Sequence, residues 1–119
     1  MAKYYMTKVI SGTANVEVID SLVTSTPEEQ KTVNGVWIHE ETGTANNDAV
    51  IRLYVEREKI AEVPIRMFTN VYGDTTYPQG AGRIDLGVTL DVGETLYAGV
   101  VSGSTGSIIR FTVEYEIVE

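Results

Sequence analysis

In the last third of the chain, from Arg83 to Glu119, apolar residues recur on every second position. Only extended backbone puts alternate side chains on one face, so this stretch constrains the fold more than any candidate reactive group does. Arg83-Ile84-Asp85-Leu86-Gly87-Val88-Thr89-Leu90 reads as one strand, Asp91-Val92-Gly93-Glu94 as a turn, and Thr95-Leu96-Tyr97-Ala98-Gly99-Val100-Val101 as the next strand. A second turn, Ser102 to Gly106, leads into a strand from Ile109 to Ile117. One wet face and one dry face predict antiparallel sheet packed on a core.

The rest of the chain reads in the same register. Asp48 to Glu56 places Ala49, Ile51, Leu53 and Val55 on one face, and the tight, charged Arg57-Glu58-Lys59 joins it to Ile60 to Phe68 as a hairpin. Pro64 cannot donate a ladder hydrogen bond, which predicts an edge position or a bulge there. Val33 to Glu40 is a further strand, and Tyr4 to Ile10 and Ala14 to Ile19 are two more, separated by Ser11-Gly12-Thr13. Pro27-Glu28-Glu29-Gln30 could form one turn of helix capped by Ser25 or Thr26. The sum is eight short strands in 119 residues. That predicts an all-β, eight-stranded antiparallel sandwich of jelly-roll type, with residues 1–119 as a single domain. An immunoglobulin-like sandwich is the alternative, and its usual Cys, Trp, Cys spacing cannot exist in a chain without cysteine.

Composition mostly excludes. The lack of cysteine removes disulfides and thiol nucleophiles, and a single histidine makes a histidine-based metal site improbable. With 17 acidic residues against 9 basic ones, a net charge of −8 repels nucleic acid and anionic lipid. The start of the chain turns polar too soon for a signal peptide, and no apolar run is long enough to span a bilayer, so a soluble product made in the cytosol is expected.

Reactive constellations are weak. His39 beside Glu40 could bind a metal or act as a base, but neighbours on a strand point to opposite faces. Asn46, Asn47 and Asp48, with Asp20 or Asp74, supply oxygen ligands of the kind calcium prefers, without the spacing of a calcium loop. Gly99, Gly103 and Gly106 precede no helix and form no phosphate loop. No serine sits in a nucleophile elbow. The expectation is therefore no enzyme, no metal and no cofactor.

Surface aromatics carry more. Tyr97 and Val101 fall opposite the apolar run Leu96, Ala98 and Val100, and Tyr54 falls opposite Leu53 and Val55, so all three are expected to face outward as an interface. The fourteen-residue stretch from Thr69 to Gly82 is expected to be a long loop, with Tyr72, Asp74, Tyr77 and Pro78 as partner contacts. A glycan-binding alternative would use Tyr72, Tyr77 and Trp37.

Trp37-Ile38, the phrase Ala49 to Val55, Arg83 to Leu90, Val92-Gly93-Glu94-Thr95-Leu96-Tyr97-Ala98-Gly99 and the closing Val113-Glu114-Tyr115-Glu116 strand together resemble small jelly-roll proteins of tailed phages and related prokaryotic viruses. The similarity spans roughly residues 33 to 118. It implies a virion component of minor capsid, decoration or head-fibre type, a homotrimer in contact with a capsid protein, and no catalytic residue. The two strands before Trp37 have no counterpart in that pattern. An N-terminal arm that completes a neighbour's sheet would suit either a virion or an extracellular filament.

Overall fold

The computed structural model describes residues 3–40, 49–65, 69–72, 75–78, 82–103 and 106–118. Ten strands follow in chain order. They are β1 (Lys3–Ser11), β2 (Glu17–Thr24), β3 (Lys31–Glu40), β4 (Val50–Val55), β5 (Glu58–Pro64), β6 (Thr69–Tyr72), β7 (Thr75–Pro78), β8 (Gly82–Thr89), β9 (Thr95–Val101) and β10 (Ile108–Ile117). Eight of them make two four-stranded sheets, sheet A in the order β1-β10-β3-β8 and sheet B in the order β2-β9-β4-β5. Every pairing is antiparallel. The expected eight-stranded β-sandwich is thus the architecture of the chain.

The dry faces of the two sheets meet in one core. Sheet A contributes Val33, Val36 and Ile38 from β3 and Ile109, Phe111 and Val113 from β10; sheet B contributes Ile51 and Leu53 from β4 and Leu96, Ala98 and Val100 from β9. Each large side chain removed from water here contributes about 1.5–3 kcal/mol.

Strict alternation fails where a strand gains a residue. Val33 and Val36 are separated by an odd step and should face opposite ways, yet both are fully buried. The register slips at Asn34 against β10 and β8 alike, and this bulge resets the phase so both valines reach the core. Gly87 takes a positive φ of 71° on the β8 side of the same irregularity. A second slip at Leu22 lets Leu22 and Val23 both be buried.

Four local expectations change. The second strand begins at Glu17, because the turn after β1 runs on through Ala14 and Asn15, the latter left-handed at φ 63° as Asn tolerates. The turn between β4 and β5 is Glu56-Arg57, with Glu58 already opposite Val55. No helical turn forms at Pro27 to Gln30. The Thr26 hydroxyl does accept the Glu29 N–H as a cap would, but the Thr26 N–H also donates to the Glu29 carbonyl, closing a loop just before β3 begins. The long connection is not an open loop throughout, since β6 and β7 pair within it as a two-stranded hairpin from Thr69 opposite Pro78 to Tyr72 opposite Thr75. Pro64 ends β5, an edge strand of sheet B, as its missing donor requires.

Candidate functional site

The outer face of sheet B is built in cross-strand rows. Tyr97 on β9 stands directly opposite Tyr54 on β4 and opposite Ser21 on β2. Gly99 stands between Ile19 and Arg52, and Val101 between Glu17 and Val50. The two tyrosines singled out by alternation therefore form one cross-strand pair, and Val101 lies further along the same strand. All three are half-buried.

Gly99 leaves space that its neighbours fill. A Cβ there would come within 3.2 Å of the Tyr54 ring and collide with the Glu17 carboxylate. Over this gap the Tyr54 hydroxyl donates to Glu17 Oε2 at 2.6 Å. Arg52 Nη1 approaches Glu17 Oε1 at 3.5 Å, Arg52 Nε donates to Glu62 Oε1 at 2.7 Å, and Lys59 Nζ reaches the same oxygen at 3.1 Å. The chain of charges leaves its mark on each titration. Lys59, then Arg52, hold the Glu62 carboxyl below its ordinary range, and Glu62 foremost raises the Arg52 guanidinium. Partial burial, followed by the bond to Glu17, raises the Tyr54 phenol.

Beside this network is a cavity of about 520 Å³ lined by Ile19, Tyr54, Glu56, Arg57 and Tyr97. Ile19 is half exposed, at 51%. Glu56 sits at a positive φ of 56° in the two-residue turn, a position that favours glycine. That strained turn sets Arg57 at the rim, and among the described residues Arg57 makes no ion pair. The concavity thus joins aromatic and aliphatic walls to one uncommitted guanidinium and one carboxylate.

The other candidates are dispersed. Trp37 is half-buried on the outer face of sheet A, with the Arg83 guanidinium 4.6 Å above its ring and Tyr5 6.0 Å away. Tyr72, Tyr77 and Pro78 belong to β6 and β7; their side chains and Asp74 lie outside the described residues, as do Asn46, Asn47 and Asp48. His39 is half-buried opposite Arg110, whereas Glu40 is buried at 2%, so the two do not converge. Asp20 accepts from Lys8 at 3.1 Å and from the Ser21 N–H at 2.8 Å, and these bonds, the first above all, hold its carboxyl below the ordinary range. No group of three or more metal-ligating side chains gathers among the described residues. No helix among them is long and apolar enough to cross a membrane.

Ile19, Glu56 and Arg57 are the site residues that alternation misses. Alternation alone puts Ile19 at the end of a strand, whereas it lies within β2, and puts Glu56 in a strand, whereas it lies in the turn after β4. The signal that could have found them is the pairing register, since Tyr54 opposite Tyr97 fixes which turn overhangs the aromatic pair.

No protein-family model matches this chain, and no curated protein does either. Among solved structures, a chain from the crystal structure of tomato aspermy virus aligns over 97% of this chain and 79% of its own length, with 11% sequence identity and a TM-score of 0.49.

Proposed function

We propose that this chain is a non-enzymatic structural subunit of a virus particle, a jelly-roll domain that assembles with copies of itself into a trimer through the outer face of sheet B. The observation that carries the reading is the strand order. In β1-β10-β3-β8 against β2-β9-β4-β5, the first and last strands pair and, apart from the β4–β5 hairpin, successive sandwich strands change sheet, an order that supports a jelly-roll winding. The residue-level resemblance to small virion proteins supports the particle, and the Tyr54/Tyr97 pair with Ile19 and Val101 supports the face. Burying these half-exposed apolar groups drives association, while the charge of −8 keeps the assembly dispersed. Capsid contact is assigned to the connection carrying Tyr72, Asp74, Tyr77 and Pro78.

Light scattering across a concentration series tests this. A mass of three chains that persists on dilution is expected; a monomer at every concentration overturns the reading.

A second reading has one specific observation in its favour, the cavity beside Tyr54 and Tyr97. Aromatic faces next to a free guanidinium and a carboxylate also suit a saccharide, which stacks its apolar face and hydrogen-bonds its hydroxyls. This glycan site differs from the one expected at Tyr72, Tyr77 and Trp37, the last of which has its ring engaged by Arg83. Calorimetric titration with neutral and carboxylated oligosaccharides, against wild type and Tyr97→Ala, distinguishes the two. Heat that vanishes in the variant would favour the glycan.

A further inference from the structure

Two sheets have four edge strands, here β1 and β8 in sheet A and β2 and β5 in sheet B. An unpaired edge is a template for another strand, and proteins that avoid such pairing spoil their edges with proline, bulges or irregular backbone. Three edges carry such a device. β5 ends in Pro64 and slips register between Leu53 and Tyr54 of its partner. β2 is bulged at Leu22, and β8 is bulged with Gly87 in the left-handed region.

β1 has none of these. Its nine residues pair with β10 in unbroken register from Lys3 opposite Glu116 to Ser11 opposite Ile108. Among the described residues no other strand pairs with β1, so its outer row of backbone donors and acceptors is open. Three of its apolar side chains are exposed, Tyr4 at 44%, Tyr5 at 58% and Val9 at 44%.

The geometry points to β1 as a two-fold contact between copies of this chain, in which β1 of each subunit pairs antiparallel with β1 of the other and sheet A runs on across both. The register that uses all nine residues and keeps both outer faces on one side centres on Thr7. It sets Tyr5 against Val9, Tyr4 against Ile10, Met6 against Lys8 and Lys3 against Ser11. No like charges meet in it, whereas like charges directly opposite destabilise a pair. Aromatic against β-branched, as Tyr5 with Val9, is a favoured pair. Lys3 and Lys8 are the gatekeeping charges of β1; Lys3 would stand at the end of the pairing opposite Ser11, and the Lys8 ammonium is already held 3.1 Å from Asp20 on β2. A second copy fits better than an unrelated peptide because this match is self-complementary. The contact is separate from the outer face of sheet B, and a two-fold contact added to a three-fold one closes a larger shell.

The chain has no cysteine, so introduced thiols report cleanly. Thr7 is exposed, and its hydroxyl shares one bond with Thr112 at 3.1 Å, so Thr7→Cys leaves the fold intact. Directly opposed residues in an antiparallel pair lie about 4.5–5.5 Å apart at Cα, within disulfide reach. Under mild oxidation, Thr7→Cys is expected to form a covalent dimer at least tenfold faster than Tyr5→Cys. Tyr5→Cys mixed with Val9→Cys should cross-link as a heterodimer. Equal rates for Thr7→Cys and Tyr5→Cys, or no cross-link in either experiment, overturn the inference. If the trimer mass persists while Thr7→Cys stays uncross-linked, the β1 contact alone has failed.

Discussion

The outer faces of the two sheets hold comparable ingredients, aromatic rings, arginines and acidic residues over a glycine, and use them in opposite ways. On sheet A, Glu114 is buried to 3% although it points away from the core. The Tyr5 hydroxyl donates to its Oε1 at 3.2 Å and Arg83 Nη2 to its Oε2 at 3.1 Å, while Arg83 lies across Gly35 and over Trp37. Threonine pairs at Thr7/Thr112 and Thr32/Thr89 complete a surface whose polar groups are matched within the chain. On sheet B the charges are matched too, but Tyr97, Ile19 and Arg57 remain around a cavity. A face whose polar groups satisfy one another has less to offer a partner, which is why the proposed assembly is placed on sheet B.

The largest effect that sharpens this contrast belongs to Glu114. Glu114→Ala strips a carboxylate from two charge-assisted or phenolic bonds and leaves Arg83 with Asp85 alone, 2.8 Å away and largely in water. A loss of about 1.5–3 kcal/mol in urea unfolding is expected, with the assembled mass unchanged. A dissociated assembly would instead place the interface on sheet A.

A matched pair of glycine substitutions comes next. In Gly35→Ala the new methyl meets the Arg83 guanidinium itself, at Nε, Cζ and Nη2, and displaces it from its place over Trp37 and beside Glu114. In Gly99→Ala it meets the Glu17 carboxylate, the end of a flexible side chain. Thermal melts should show Gly35→Ala destabilised by about 1–2 kcal/mol through loss of the stack and the charged hydrogen bond. Gly99→Ala should stay within about 1 kcal/mol of wild type, because reduced unfolded-chain freedom offsets the lost Tyr54 bond. Equal losses would mean that the sheet B network is as rigid as the cluster on sheet A.

Smallest is the effect of pH. The folded pKa of Tyr54 is raised, so the folded chain holds that proton longer than the unfolded one. Its contribution is full below the ordinary phenol range and is lost as pH rises through the folded pKa. Absorbance titration of tyrosinate should show a late-ionising phase that disappears in Tyr54→Phe. The depressed carboxyls Asp20 and Glu62 act in the reverse sense, their contribution being lost as pH falls through their folded pKa.

Alternation made the strands legible because each has one dry face, and it placed Tyr54 and Tyr97 outward for the same reason. It could not reveal the bulge at Asn34, since one inserted residue inverts the phase and Val33-Asn34-Gly35-Val36 reads equally well as a regular strand. Nor could it show that Glu114 is buried, because its cover comes from Tyr5 and Arg83, distant in sequence and joined only by sheet order. The cavity was hidden for a related reason. Ile19 and Arg57 meet across β2, β9 and β4, and only the registers between those strands bring them together.

Sedimentation equilibrium on two single-charge variants bears most directly on the division between the faces. Tyr97→Lys puts an ammonium into the aromatic pair on sheet B, and Thr112→Lys puts one at the middle of the outer face of sheet A. With association through sheet B, Tyr97→Lys loses the three-chain contact and falls to the mass of at most two chains, the pair that β1 alone would hold, while Thr112→Lys keeps the mass of the assembled wild type. Retention of the assembly by Tyr97→Lys, or its loss in Thr112→Lys alone, would contradict it.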